Sequence, residues 1–578
     1  MNCLKIDLSR FNDAQREAIC HDTGPALVLA GPGSGKTAVL TQRLLYLVRE
    51  RGIPPESILV VTFTKAAALE MQNRFAILAN ERMPITFGTF HSVFYQILRE
   101  TSSRDSLDVL TAKEKREFLI ACLQKRSISV NLQDAFIKEI EGIKCMPALP
   151  SDYVPHIPGI TKEQMLDVTH MLEEMCRIRG KIDFDDMAYL CDKMLTENHE
   201  ILSYYQRRFR YILIDEYQDI NEIQAHIMDL ISGEQKNLFM VGDDDQSIYR
   251  FRGADSRNML LLPERFPGLH TINLVVNYRC HDAIIRAAQA VIKENKCRFI
   301  KHQLSLQRDH AAFSDIVSIR ICKSRAEKIA DMRKLFQSIA SDHEIRSAAI
   351  LFRRKKDADD VEAIFRNLNL QVKGLKKRSE SENAFHLDLL AYLNLLDGKG
   401  SIDDLVRVMN KPERGIERED LPIRPDLSDA KGNCLSFVRK LQMRRGGTLF
   451  SKIMYIRKVL GYDAYLEKAA PGYSFEQIFR EGMGEAECEN AICDVSKFQI
   501  ETYHGSKGLE YDAVILPDVI EGIVPNRRIR TQEEFEEERR MFYVAMTRAR
   551  KRLYIFTVDN KKTDERPSVF LKPLFFID

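Results

Sequence analysis

The stretch Ala30-Gly31-Pro32-Gly33-Ser34-Gly35-Lys36-Thr37 constrains this chain more than any other. The apolar run Ala26-Leu27-Val28-Leu29 precedes it and reads as a buried strand. Leu40, Leu44 and Leu47 follow it on one helical face. Strand, glycine loop and helix in that order make a phosphate cradle. The glycines let successive backbone N–H groups turn inward, and the helix N-terminus adds partial positive charge. Lys36 would reach the outer phosphates, and Thr37 would offer its hydroxyl to Mg²⁺. The first position is Ala30 where the strict pattern has Gly.

A chain of 578 residues exceeds a single core and calls for three or four domains. Its 86 basic residues against 84 acidic ones leave a net charge of +2, so the bulk field will not hold a polyanion. Nucleic acid would have to be gripped by a local groove. No apolar run is long enough to span a membrane, and the N-terminus has no signal-peptide pattern. The 12 cysteines form no C-x-x-C pair, which argues against a zinc module or a disulfide framework. Cys488 and Cys493, the closest pair, read as unrelated thiols, and the expected compartment is the reducing cytoplasm. Tryptophan is absent, so base stacking would fall to Phe, Tyr, His or Arg.

A phosphate cradle needs an acidic partner for its metal. The run Tyr211-Ile212-Leu213-Ile214 ends in Asp215-Glu216. Asp215 would hold the Mg²⁺ shell, and Glu216 would orient and deprotonate the attacking water. A third run, Leu238-Phe239-Met240-Val241, leads into Gly242-Asp243-Asp244-Asp245-Gln246. Gln246 is the candidate sensor of the outer phosphate, and Asp243 would cap the next turn. Strands ending together in polar residues build the crevice of an open parallel sheet.

These and further segments resemble the motifs of UvrD/PcrA/Rep-type superfamily 1 helicases. They are residues 9–15 (Ser-Arg-Phe-Asn-Asp-Ala-Gln), 62–71, 88–92, 182–186, 215–219, 241–254 (VGDDDQSIYRFRGA), 277–280, 502–511 and 538–549, all in family order. The resemblance implies an α/β fold of two RecA-like parallel-sheet motor domains, each with a mainly helical insertion. It implies ATP and Mg²⁺ as cofactors, and 3′ to 5′ movement on single-stranded DNA with unwinding of 3′-tailed duplex. By position, Gln15 would read the adenine edge, Tyr278 would stack on the base, and Glu510 would contact the ribose. Arg279 and Arg548 would be arginine fingers that reach the γ-phosphate when the domains close. Phe63, Thr64, His91, Phe184, Tyr249, Phe251, Arg252 and His504 stand at DNA-facing positions. Arg250 and Arg252 flank Phe251, interleaving charge and ring.

Three positions depart from the family pattern. Phe251 stands where Trp is common, and Cys280 where Ser is usual. Ala38 replaces a frequent basic residue, so the adenine would be covered on one face only. The layout implied is residues 1–92 and 200–276 for the first motor domain, with a helical insertion at 93–199. Residues 277–376 and 496–578 would form the second, with an insertion at 377–495 that is shorter than usual. Strands are expected near Val317–Ile321, Ala349–Phe352, Ala513–Leu516 and Leu553–Phe556. Leu389, Leu393 and Leu396 mark a helical face in the second insertion, which is broken at Lys411-Pro412. The short insertion and short tail also admit another reading. The chain would then be a DNA-stimulated ATPase switch or motor subunit of a larger complex with, for example, a nuclease. An ATPase without a nucleic-acid partner is the third.

Overall fold

The computed structural model describes residues 6–577 except 102–107, 148, 185, 251–252, 256, 309–310, scattered positions between 359 and 379, 399, 423–426, 428, 444–448 and 470–496. Phe251, Arg252, Cys488 and Cys493 therefore lie outside the described residues. The chain divides into two units, residues 1–370 with 498–578, and residues 371–497.

The first unit holds two large parallel sheets. In the first, the spatial order is Thr86–Thr89, Ile58–Thr62, Tyr211–Ile214, Leu238–Gly242, Ala26–Ala30, His270–Leu274. All neighbouring pairs are parallel. Alternate residues of these strands feed two separate cores. Leu27, Leu29, Leu59, Val61, Ile212 and Ile214 join one, while Ala26, Val28, Ile58, Val60, Leu213 and Phe239 join the other. Burial on both faces is why the strands read as unbroken apolar runs instead of alternating ones. Each buried Leu, Ile or Val contributes about 1.5–3 kcal/mol. Because the strands are parallel, their C-terminal ends share one edge, and the polar loops after Ala30, Thr62, Thr89, Ile214 and Gly242 open there.

Helix Lys36–Arg49 follows the cradle and buries Leu40, Leu44 and Leu47. Helices Ala112–Lys125, Gln133–Lys144 and Lys162–Ile178 gather their own core around Leu119, Leu123, Phe136, Ile140, Met165 and Leu172. Thr111 with Glu114, and Thr161 with Gln164, form capping boxes that start two of them. The flanking helices Phe90–Thr101 and Asp186–Glu197 instead pack into the first sheet's core through Phe94, Ile97, Cys191 and Leu195.

The second sheet runs Val317–Cys322, Ala549–Val558, Tyr511–Leu516, Ala348–Phe352, Phe498–Thr502, again parallel. Helices Asp282–Ile292 and Gln532–Met546 cover it through Ile284, Val291, Phe542 and Val544. Between the sheets along the chain, strand Val276–His281 pairs in parallel with Leu304–Gln307.

The second unit is helical, with Glu380–Asp397, Ile402–Val408, Gly432–Gln442 and Tyr462–Ala469 around Leu389, Leu396, Leu405 and Phe437. Leu393 packs beside that core. Lys411 pairs with the buried Asp388 at 2.8 Å. No described helix is long and apolar enough to cross a membrane.

Candidate nucleotide cleft and aromatic face

A cleft of about 1010 Å³ opens over the cradle in the first unit. Gly33 and Gly35 take φ of 67° and 86°, left-handed conformations that favour glycine. A Cβ on Gly33 would also sit 2.5 Å from that of Arg279. Ser34 Oγ donates to Gly31 O at 2.8 Å and closes the loop on itself. Lys36 Nζ lies 3.6 Å from Glu216 Oε1, and Thr37 and Asp215 line the same cleft. Glu216 has φ of 54°, a conformation that costs energy for a residue with a Cβ and is typical of functional sites. Gln218 holds it there. Its Nε2 donates to Glu216, while its Oε1 accepts from Asp243 N at 2.9 Å.

The two acids differ sharply. Burial raises the Asp215 carboxyl, and neighbouring Glu216 raises it further, to about 7, against the pull of Lys36. Burial works against the charge on Glu216 too, but Lys36 and Lys507 outweigh it and hold that pKa down at about 2. Glu216 is thus a carboxylate aimed at cations, beside a second acid with spare demand for positive charge.

Arg279 and Arg548 line the cleft with Lys36. The Arg279 guanidinium is bound to Glu510, which also receives Arg550. Arg548 is 1 % exposed. It donates to Val544 O at 2.9 Å, Leu509 O at 3.2 Å and Gln246 Oε1 at 3.3 Å. Burial, reinforced by Arg279, lowers its pKa to about 10. Asn277 pins this wall to the cradle. Its Nδ2 donates to Pro32 O at 2.5 Å, and its Oδ1 accepts from the backbone of Arg279 at 2.9 Å and Cys280 at 2.8 Å.

Tyr278 also lines the cleft, and its backbone N–H donates to Gly33 O at 2.9 Å. Gln15 lies behind it. Its Nε2 donates to Ser34 O at 3.0 Å, and its Oε1 accepts from Asn12 N at 3.1 Å and Tyr278 Oη at 3.4 Å. Gln303 covers Gly31 from behind, at the base of the loop that begins with Ala30.

The aromatic residues form two groups. Phe63 stacks on Tyr249 at 4.8 Å between centroids, and the His504 ring lies 6.2 Å from Tyr249. His91 stacks on Phe184 at 4.0 Å, and Phe184 is 50 % exposed. Phe63 and Tyr249 touch the cleft, whereas His91, Phe184 and His504 do not line it. Thr64 caps helix Lys65–Ala79 by accepting from Ala67 N at 3.1 Å. Arg250, beside the undescribed Phe251 and Arg252, donates to Glu533 Oε2 at 3.2 Å and through its backbone to Glu537 at 3.1 Å.

Sequence reasoning passed over Lys507. It donates to Gln246 O at 2.8 Å, pairs with Asp219 and stands 5.0 Å from the Tyr249 ring centre. Burial disfavours its charge, yet Asp219 and Glu216 raise its pKa. Its one signal was membership of the 502–511 segment.

Residues 11–267 match the UvrD/REP helicase N-terminal domain, and residues 272–424 with 434–560 match the UvrD-like helicase C-terminal domain. The chain belongs to the UvrD/REP helicase family. Among its curated relatives is the ATP-dependent DNA helicase PcrA of Staphylococcus aureus, 28% identical over 646 residues, covering 99% of this chain and 87% of that protein. The Staphylococcus epidermidis protein of the same name is 29% identical over 640 residues, with the same coverage. This UvrD-type helicase thus spans nearly the full length of both.

Proposed function

We propose that this ATP-dependent DNA helicase moves 3′ to 5′ along single-stranded DNA, with one cleft closing and reopening in each cycle. The reading rests on one observation: Lys36 and Glu216, from the segments that follow strands of the first sheet, share a cleft with Arg279 and Arg548. Thr37 and Asp215 are the candidate Mg²⁺ holders, and the raised pKa of buried Asp215 fits a group awaiting a cation. Bound Mg²⁺ would neutralise charge on the phosphate oxygens. Lys36 and the loop N–H groups bind the phosphates. Tyr278 offers its ring to the base, with Gln15 bracing both it and the loop. Glu216 accepts the proton of the attacking water.

Arg279 exchanges Glu510 for the γ-phosphoryl oxygens, and Arg548 meets them from the same wall. A planar guanidinium matches the charge spread over those oxygens. That exchange would free Glu510 Oε2 for the ribose while Arg550 keeps Oε1. Lys507 links this chemistry to DNA, since it holds Gln246 with one contact and faces Tyr249 with another. Tyr249, Phe63, His504, His91 and Phe184 supply flat faces for bases, and Phe251 and Arg252 extend that set by sequence. The Phe63–Tyr249 stack would open to admit a base.

Strand separation on matched 3′-tailed and 5′-tailed duplexes with Mg-ATP tests this. Separation of the 3′-tailed duplex alone is expected. ATPase activity stimulated by single strands without separation of either duplex would contradict it and favour a switch within a larger complex.

A further inference from the structure

Arg298 and Lys301, in the segment between strands Val276–His281 and Leu304–Gln307, lie in none of the motifs yet reach the acids after strand Leu238–Gly242. The Lys301 side chain is 7% exposed. Its ammonium donates to Asp243 and Asp244 and lies 2.9 Å from Asp245 Oδ2. Arg298 clasps Asp245 with two nitrogens at 2.8 and 2.6 Å, and Phe299 N donates to Asp244 Oδ2 at 2.9 Å. Three consecutive buried carboxylates repel one another and call for a shared counter-charge. The triad has the form of a cation site, and the ammonium of Lys301 is the cation in it.

The ordering extends one step further. Asp243 accepts at its other oxygen, Oδ2, from Gln246 Nε2 at 2.7 Å. A primary amide has a donor end and an acceptor end that exchange by a half-turn, and a carboxylate accepts only. The donor end of Gln246 is therefore fixed on Asp243, and its Oε1 faces Arg548 Nη2 at 3.3 Å. Lys301 itself does not line the cleft.

We propose that Lys301 is a positioning residue for ATP hydrolysis. By anchoring Asp243 it locks the Gln246 amide with its oxygen on Arg548, which holds that guanidinium at the phosphate site. The inference rests on the place of Gln246 in that site. Lys301 lies 22 residues after Arg279, in the segment that follows the strand carrying that arginine. Strand and segment together thus deliver an arginine to the cleft and brace the sensor beside it.

The test uses the full chain with saturating single-stranded DNA, and reads kcat and KM for ATP. Lys301→Met is expected to lower kcat about tenfold, the scale of a modest misplacement of a catalytic group, with KM within about twofold. Lys301→Arg, which keeps the charge, is expected to restore most of it. In a Gln246→Ala background, Lys301→Met is expected to cause no further loss, because the two act through one group. Multiplying losses would overturn the inference alone. Unchanged kcat in Gln246→Ala by itself would overturn both the inference and the place of Gln246. Should Lys301→Met fail to fold, Asp243→Asn reads the same linkage. Its neutral amide accepts from Gln246 in one orientation and donates to it in the other, so the same loss of kcat, again absent from the Gln246→Ala background, is expected, and multiplying losses would overturn the inference.

Discussion

Arg548→Ala separates a catalytic arginine from a structural one. The side chain is buried at 1 % exposure and donates to Val544 O, Leu509 O and Gln246. Losing those bonds leaves buried acceptors, at about 1–3 kcal/mol. Removing the guanidinium also ends the burial that holds its pKa at about 10 instead of 12.5. The two effects oppose and are of similar size, so the net stability change is about 1 kcal/mol in either direction, a shift of about a degree in melting temperature for a unit of this length. An arginine finger is worth about a thousandfold or more in rate, and a thousandfold is ~4 kcal/mol of barrier. The chemical loss thus far exceeds the structural one. The assay is DNA-saturated ATP turnover, paired with titration of a fluorescent ATP analogue and a thermal melt. We expect kcat to fall about a thousandfold with nucleotide affinity within about threefold. A loss of kcat below tenfold, or a loss carried by weakened binding, would refute the role.

Glu216→Gln removes the proton acceptor while keeping the contact with Gln218, so ATP should bind and remain unhydrolysed; wild-type turnover in a quench-flow assay would rule Glu216 out as the base. Tyr249→Ala removes the ring that stacks on Phe63 and faces Lys507, and is expected to spare most ATPase activity while strongly reducing strand separation. Parallel loss of both would mark the ring as a folding element. His226 on helix Glu222–Ile231 has a raised pKa, chiefly from its 2.6 Å bond to Asp192, with Asp229 also raising it and Arg265 opposing. Its contribution to stability is present below the ordinary value of 6.5 and lost as pH rises through the raised one. His226 is partly exposed, so the melting temperature should fall by only about a degree or two across that window, and His226→Asn should flatten the slope.

Much of the candidate cleft was legible because it lies where buried strands end. Ala26–Ala30, Tyr211–Ile214 and Leu238–Gly242 are buried on both faces, so their runs and the polar residues after them stand out in sequence. Thr86–Thr89 is a four-residue strand with no apolar run to reveal it, and Phe498–Thr502 alternates apolar and polar residues over only five positions, too short a period to stand out. The Lys301 cluster was hidden for a different reason. It joins residues 56 to 58 positions apart by charge alone, and neither periodicity nor local spacing records such a pairing. The Gln15 contacts with Ser34 and Tyr278 likewise exist only in three dimensions. Arg250 illustrates the converse. Beside Phe251 in sequence it reads as part of a nucleic-acid track, yet helix Gln532–Met546 offers it Glu533 and Glu537.

The most direct measurement is a crystal structure of the protein with Mg²⁺, ADP and aluminium fluoride, a mimic of the transferring phosphoryl group. Arg279 should have left Glu510, and guanidinium nitrogens of both Arg279 and Arg548 should lie about 3 Å from the fluoride. If Arg279 stays on Glu510 and neither arginine reaches the mimic, the shared cleft is not a hydrolysis site.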